Sequence, residues 1–203
     1  RVMAWGDIAI KYPEILPELP PRLITVAWEY DPDPEAEYKA WLGPLTEHRL
    51  PHFVQGGLRC WNEISPDFSK TFDNLDTFLI AGRNSKALGL INSVWTDSAQ
   101  TILRMAWPAM AYGVVAAWQS APVDRGAFFS DYARVRYPAS IAREVAEALS
   151  HLDRAENHLQ KVLGQSTQLE VWRDPFEPAT LQRSAERRED LRQTRLDAEA
   201  ADE

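Results

Sequence analysis

Short apolar runs alternate with amphipathic stretches along the first part of the chain, up to about residue 120. Four runs are apolar and partly β-branched, which is typical of strands buried on both faces of a parallel sheet. In chain order they read "RVMAW", "RLITVAW", "HFVQGGLRCW" and "ALGLINSVW". Each ends in tryptophan, and successive tryptophans are 23, 33 and 34 residues apart. This distance fits a repeating unit of one strand and one helix.

The segments between these runs have the periodicity of helices. The first, over residues 34–48, has an apolar face made of Tyr38, Trp41, Leu42 and Leu45. The second, over residues 65–85, has an apolar face made of Phe72, Leu75, Phe78 and Leu79. Ser65 and Pro66 are its start signals, and Gly82 is its stop signal. A further helix is predicted after the fourth run, with Pro108 starting or kinking its second half.

The pattern changes after about residue 121 and becomes helical. Residues 140–164 predict one amphipathic helix ending at Gly164, whose apolar stripe is Ile141, Val145, Leu149, Leu152, Leu159 and Val162. Residues 174–203 predict a charged helical appendage with Pro178 near its start, frayed beyond about residue 197. We therefore divide the chain into residues 1–138, which alternate strands and helices, and a helical region over residues 139–203.

Alternation of buried strands and helices predicts an α/β fold with a parallel sheet. A (β/α)8 barrel needs eight strands in about 250 residues, and residues 1–138 hold four. An open doubly wound sheet is the alternative, but the sequence lacks the Gly-rich phosphate loop that usually accompanies it. We therefore predict the C-terminal half of a TIM barrel. Because Arg1 is followed at once by the first strand, we expect the missing strands to precede it in a longer chain or to come from another chain.

An acidic residue follows each of the four tryptophans, so the carboxyl end of every predicted strand carries an indole and a carboxylate. The leading pairs are Trp5 with Asp7, Trp28 with Glu29, Trp61 with Glu63, and Trp95 with Asp97. In a barrel these ends meet at one mouth. For any single pair, a core tryptophan and an acid that caps the next helix remain the alternatives. Trp41, Trp107 and Trp118 lie at helical spacing and are predicted to be core residues.

Indoles beside carboxylates suit a carbohydrate site. The C–H face of a pyranose stacks on an aromatic ring, and carboxylates accept hydrogen bonds from hydroxyl groups. Other classes of function have less support in the composition. The formal net charge of −8 gives no reason to expect a nucleic-acid partner. No apolar run is long enough for a membrane span, the histidines lack the spacing of metal ligands, and no cofactor is predicted. Cys60, the only cysteine, is predicted to be a buried small residue.

Three of these segments resemble glycoside hydrolase family 20, the β-N-acetylhexosaminidases. "MAWGDIA" is similar to that family's fifth-strand segment, and "LITVAWEY" is similar to the next strand. "ALGLINSVWTDSA", with the "PAMAYGVVAAWQ" helix after it, is similar to the last strand and helix. The resemblance covers roughly residues 1–138 and implies the C-terminal half of the catalytic barrel.

The resemblance implies a retaining hydrolysis in which the acetamido oxygen of the substrate attacks its own anomeric carbon. The family's catalytic Asp–Glu pair lies at the end of strand four, and no segment of this chain matches it. The chain would instead supply the wall that binds an N-acetylhexosamine glycan: Trp5, Trp28 and Trp95 around the acetamido group, Asp97 on the hydroxyls, and Asp7, Trp61, Asn62 and Glu63 nearby.

Two positions depart from the family pattern. Asp97 stands where the family usually has Glu, which shortens the reach of the carboxylate. The family's penultimate strand carries a Tyr that holds the acetamido carbonyl, and residues 57–63 contain none. Either Asn62 donates a similar hydrogen bond or the register differs. Two other functions stay open: a non-catalytic carbohydrate-binding module, and an interaction protein that works through the helical tail at residues 140–197.

Overall fold

The computed structural model describes residues 2–61, 63, 65–97, 102–163, 174 and 176–203. It contains four strands, which are β1 (Met3–Trp5), β2 (Ile24–Trp28), β3 (His52–Leu58) and β4 (Leu90–Val94). Its α-helices are α1 (Asp7–Lys11), α2 (Glu35–Glu47), α3 (Phe68–Asn84), α4 (Trp107–Trp118), α5 (Arg125–Arg136), α6 (Ala142–Leu163), α7 (Pro178–Glu186) and α8 (Arg188–Asp202). Two 3₁₀ helices cover Pro13–Glu18 and Leu103–Ala106.

The four strands form one parallel sheet in the order β1-β2-β3-β4. The predicted α/β class and parallel sheet are thus confirmed. In register, Trp5 lies opposite Val26, and Trp28 lies opposite Gln55. Each βα unit places its strand beside the preceding one, so the order contains no reversal.

The chain divides into two compact units made of interleaved segments. Unit 1 comprises Arg1–Leu58, Lys70–Ser93 and Tyr112–Pro122, and unit 2 comprises Arg59–Ser69, Val94–Ala111 and Val123–Glu203. The sheet belongs to unit 1 except for Val94, the last residue of β4. The predicted division at residue 138 stays a prediction.

The core of unit 1 lies between the sheet and its helices. Ala27 and Val54 from the strands are buried in one cluster with residues of α1, α2 and α3. The helical contributors are Ala9, Ile10, Tyr38, Leu42, Leu45, Phe78 and Ala81. The apolar face predicted for α2 is therefore largely buried, because Tyr38, Leu42 and Leu45 are at most 1% exposed.

β1 differs from the predicted doubly buried strand. Its side chains are exposed, with Met3 at 54% and Trp5 at 55%, and β4 is only half-buried. Among the described residues, both strands lie at an edge of the sheet and pair with one neighbouring strand each. The helical spacing predicts Trp118 to be a core residue, and this is wrong, because it is 88% exposed at the last position of α4.

The boundaries of α3 correct two predictions. The helix begins at Phe68 rather than at Ser65 and Pro66. In unit 2, the backbone N–H of Ser69 in its first turn donates to Asp153 Oδ1 (2.9 Å), so a carboxylate from α6 supplies the cap. Gly82 does not stop the helix, which continues to Asn84. A Cβ at Gly82 would lie 3.0 Å from Val54, so this glycine lets the helix approach the sheet.

Unit 2 is mainly helical, and α6 packs against both α5 and α8. Asp124 caps α5 by accepting hydrogen bonds from Gly126 N (2.9 Å) and Ala127 N (3.3 Å). Of the apolar stripe predicted for α6, Leu149 and Val162 are buried as expected, but Ile141 is 44% exposed. α8 continues to Asp202, beyond the predicted fraying point. Within the described part of the chain, no helix has the length and apolar character needed to cross a membrane.

Candidate functional site

The first two predicted tryptophans lie on one face of the sheet in unit 1. Because side chains alternate along a strand and neighbours in register share a face, Trp5, Trp28 and Gln55 point to the same side. Ala27 and Val54 point to the other side, where the helices pack. The structure therefore brings Trp5 and Trp28 to the face opposite the cluster formed with α1, α2 and α3.

A small polar and aromatic group forms around the carboxyl end of β2. The rings of Trp28 and Tyr30 are 5.1 Å apart between centroids and are tilted by 39°. Gln55 Nε2 donates a hydrogen bond to the Tyr30 hydroxyl (3.1 Å). Trp28 and Tyr30 are half-buried, and Gln55 is fully buried. This group offers an aromatic surface with a hydroxyl and an amide beside it.

The loop after β2 is held by Asn74, a fully buried residue of α3. Its Nδ2 donates to the carbonyls of Glu29 and Asp31 (both 2.9 Å) and to the Tyr38 hydroxyl (2.8 Å). Its Oδ1 accepts from the backbone N–H of Gly57 (3.3 Å), just before the end of β3. One amide thus ties the carboxyl ends of β2 and β3 together.

Tyr38 completes this polar network. Its hydroxyl donates to the carbonyl of Asp31 and accepts from the backbone N–H of Asp33 (3.1 Å). Burial raises the pKa of Tyr38 to about 12, so the hydroxyl stays protonated and able to donate at neutral pH. The loop that follows Trp28 is therefore fixed by buried hydrogen bonds.

Asp7 occupies the first position of α1 and is half-buried. Gly6 is the N-cap residue, and it makes no side-chain capping bond. A carboxylate in the first turn interacts favourably with the helix dipole. Asp7 therefore contributes to the start of α1 without acting as its cap.

Unit 2 holds the predicted residues that follow β3. Glu63 is fully buried, and its Oε1 lies 3.4 Å from Arg59 Nε in an ion pair. The Arg59 guanidinium also lies over the Trp61 ring, 5.4 Å from its centroid. Arg59 therefore links Trp61 and Glu63, and the carboxylate of Glu63 faces a cation inside the protein. Asn62 lies outside the described residues.

The residues that follow β4 are also in unit 2. Trp95 is 42% exposed and Asp97 is exposed. The backbone carbonyl of Trp95 accepts a hydrogen bond from the buried Cys60 thiol (3.3 Å). Burial, followed by the charge of Glu63, raises the pKa of Cys60 to about 11. The structure thus joins the segments after β3 and β4 through Cys60 and Trp95, and leaves the Trp95 ring and Asp97 accessible.

An acidic groove of about 460 Å³ adjoins the polar network of Tyr38 in unit 1 and is lined in part by Glu29, Asp33, Glu37 and Trp41. Burial and the neighbouring carboxylates of Glu29, Glu37 and Asp31 raise the pKa of Asp33. None of the predicted tryptophans at the strand ends lines this groove. Over the described ranges, no three His, Cys, Asp or Glu side chains are grouped so that they could hold a metal ion.

Sequence reasoning missed three residues near the predicted site: Tyr30, Gln55 and Asn74. Gln55 had a visible signal, because it is a polar residue inside the apolar run "HFVQGGL". Tyr30 follows Trp28 by two residues, the spacing that also separates Asp7 from Trp5. Asn74 gave no local signal, since it lies on a helix and its partners are 17 to 45 residues away.

Comparison with models of known protein families gives no match for this chain, and comparison with curated proteins gives none either.

Proposed function

We propose that the chain is the C-terminal half of a (β/α)8 barrel and supplies the sugar-binding wall of a glycoside hydrolase resembling the β-N-acetylhexosaminidases. The observation that carries the proposal is the sheet of unit 1. Its strands follow chain order, the buried cluster of α1, α2 and α3 covers one face, and Trp5 and Trp28 lie on the other. An open doubly wound sheet reverses its strand order and carries helices on both faces. A barrel arc has helices outside and functional side chains at the carboxyl ends of its strands.

The side chains at these ends support a neutral sugar as the ligand. Trp28 and Tyr30 form a tilted aromatic pair, which suits the C–H face of a pyranose. The adjacent hydroxyl and amide of Tyr30 and Gln55 suit hydroxyl and acetamido groups. Trp5, 55% exposed, and Trp95, 42% exposed, would each offer a further accessible indole.

In the reaction that the resemblance implies, the acetamido oxygen attacks the anomeric carbon and a carboxylic acid protonates the leaving oxygen. The tryptophans would hold the sugar and its acetamido group, and Asp97 would accept hydrogen bonds from its hydroxyls. The family's catalytic Asp–Glu pair lies at the end of its fourth strand, and no segment of this chain resembles that strand. The remaining candidate binding residues are Asp7, Trp61, Asn62 and Glu63. For Glu63 to bind a ligand, its carboxylate would first have to leave its ion pair with Arg59.

Calorimetric titration of the 203-residue chain with N-acetylglucosamine tests the binding part of the proposal. We expect binding that Trp28→Ala abolishes. Trp118→Ala is the matched control, because it removes an indole of the same unit that is 88% exposed, and it should leave affinity unchanged. Absence of binding to the unsubstituted chain would contradict the proposal.

A second experiment separates an enzyme from a non-catalytic module. A longer polypeptide that adds a strand ending in the Asp–Glu pair should hydrolyse an aryl N-acetyl-β-glucosaminide, and Trp28→Ala should reduce kcat/KM. Sugar binding without turnover in the longer polypeptide would favour the binding module.

A further inference from the structure

Gln55 has an uncommon environment for a side-chain amide. It lies in the middle of β3, is fully buried, and stands in register with Trp28. Its Nε2 donates to the Tyr30 hydroxyl (3.1 Å), but its Oε1 is buried and accepts no hydrogen bond from the described residues. β3 therefore carries a buried polar atom that the described part of the chain leaves without a hydrogen bond.

The unsatisfied atom is costly. Leaving a buried donor or acceptor without a partner destabilises a fold by about 1–3 kcal/mol, and native structures contain few such groups. Rotating the amide by half a turn does not remove the cost. The oxygen would then accept from Tyr30, and Nε2 would become the atom without a partner. Leucine would fill similar space at this position without the cost.

The neighbours of Gln55 indicate the role of its carbonyl oxygen, which accepts no hydrogen bond from the described residues. Tyr30 connects it to Trp28 through an aromatic contact of 5.1 Å. The backbone N–H of Tyr30 donates to Glu29 Oε1 (2.8 Å), and Asn74 anchors the flanking carbonyls of Glu29 and Asp31. The group is therefore preorganised, which lowers the entropic cost of binding a ligand.

We propose that Gln55 and Tyr30 form a polar anchor in which the Gln55 carbonyl accepts a hydrogen bond from an O–H or N–H group of a neutral sugar stacked on Trp28. An amide and a phenol carry no charge, so they suit a neutral donor rather than an ionic ligand. This inference rests on the proposed function, since it needs a sugar in the site. The inference adds Gln55, in the middle of β3, as a residue that determines ligand specificity. The sequence pattern predicts no binding residue within this strand.

The test measures stability and affinity in the same variants. Gln55→Leu should raise the urea midpoint or leave it unchanged, because it removes the unsatisfied atom. It should also weaken N-acetylglucosamine binding by tenfold or more in calorimetry. Tyr30→Phe should weaken binding as well, and the double variant should lose less than the product of the two single effects, because the two groups act as a unit.

Glucose identifies the donor on the sugar. An equal loss of affinity for glucose and N-acetylglucosamine assigns a hydroxyl, and a loss for N-acetylglucosamine alone assigns the acetamido N–H. Either result supports the anchor. Unchanged affinity in Gln55→Leu overturns it and leaves the proposed function standing, as does a parallel loss of affinity and stability. Absence of binding by the unsubstituted chain overturns the proposed function together with the anchor.

Discussion

His151 Nδ1 on α6 lies 2.8 Å from Asp197 Oδ1 on α8, and the two atoms share a hydrogen bond. Seven residues further along α6, His158 makes the same bond to Asp190 Oδ1, also over 2.8 Å. Because residues 151 and 158 meet residues 197 and 190, the two helices run antiparallel. Both helices belong to unit 2, and the two histidine–aspartate pairs fix their register.

Acid should loosen the contact between α6 and α8. The hydrogen bond from His158, with the nearby charge of Lys161, holds the pKa of Asp190 below its ordinary value. Burial alone would raise the pKa of Asp197, but hydrogen bonds from His151 and Arg154 hold it below its ordinary value. A carboxyl whose pKa is lower in the folded state stabilises the fold above its unfolded pKa of about 3.9. That contribution is lost as the pH falls through the folded pKa.

The test determines the midpoint of urea unfolding at several pH values from neutral to acid, with circular dichroism as the probe. The midpoint should fall below about pH 4, and an Asp190→Asn/Asp197→Asn variant should show a smaller fall. Asp131→Asn is the control, since it removes an exposed carboxylate that pairs with Arg134 on α5. An unchanged acid dependence in the double variant would show that these pairs do not stabilise the fold.

Asn74→Ala should lower the free energy of unfolding by about 2–3 kcal/mol, because it removes the hydrogen bonds that Asn74 makes to two backbone groups at the ends of β2 and β3. Those groups are the Gly57 N–H and the Glu29 carbonyl, whereas the Asp31 carbonyl keeps the hydrogen bond that it accepts from the Tyr38 hydroxyl. Asn84→Ala is the matched control on the same helix, where an exposed amide donates to Glu35 Oε1 (3.0 Å). It should change stability by no more than about 0.5 kcal/mol. Equal urea midpoints for the two variants would contradict the anchoring role of Asn74.

Local sequence patterns were sufficient to predict the strands and most of the helices. β-branched apolar runs and helical periodicity are properties of neighbouring residues, so β2, β3 and α2 follow from the sequence. The start of α3 does not, because its cap is Asp153, which lies 84 residues from Ser69. The exposure of Trp5 does not follow either, since it depends on β1 being an edge strand.

The candidate site was predictable only to the level of residue types. The tryptophans at the strand ends follow from the pattern, and the register then places Trp5 and Trp28 on one face. The burial of Glu63 against Arg59 depends on packing that no motif encodes. The unsatisfied oxygen of Gln55 emerges only when the register and the position of Tyr30 are known together.

Alanine at two glycines of unit 1, Gly56 and Gly43, should change the free energy of unfolding in opposite directions. A Cβ at Gly56 on β3 would lie 2.6 Å from Leu75 Cδ2 and 2.7 Å from Asn74 Oδ1. Gly56→Ala should therefore lower stability by about 1–3 kcal/mol. A Cβ at Gly43 in α2 would meet nothing within 4 Å, so Gly43→Ala should raise stability by about 0.5–1 kcal/mol. Thermal or urea unfolding measures both, and a shift in the same direction would contradict the packing of β3 on α3.

Cys60 should be unreactive in the folded chain although it lies beside predicted site residues. The thiolate is the nucleophile, and burial raises the pKa of Cys60 to about 11. We expect Ellman's reagent at pH 8 to modify the native chain at least about a hundredfold more slowly than the chain unfolded in urea. A Cys60→Ala/Ser120→Cys variant is the control, because residue 120 is exposed and its thiol should react at once. Rapid modification of native Cys60 would show that the segments after β3 and β4, which its hydrogen bond to Trp95 joins, separate readily. The Trp95 ring would then not be held in one position for binding a sugar.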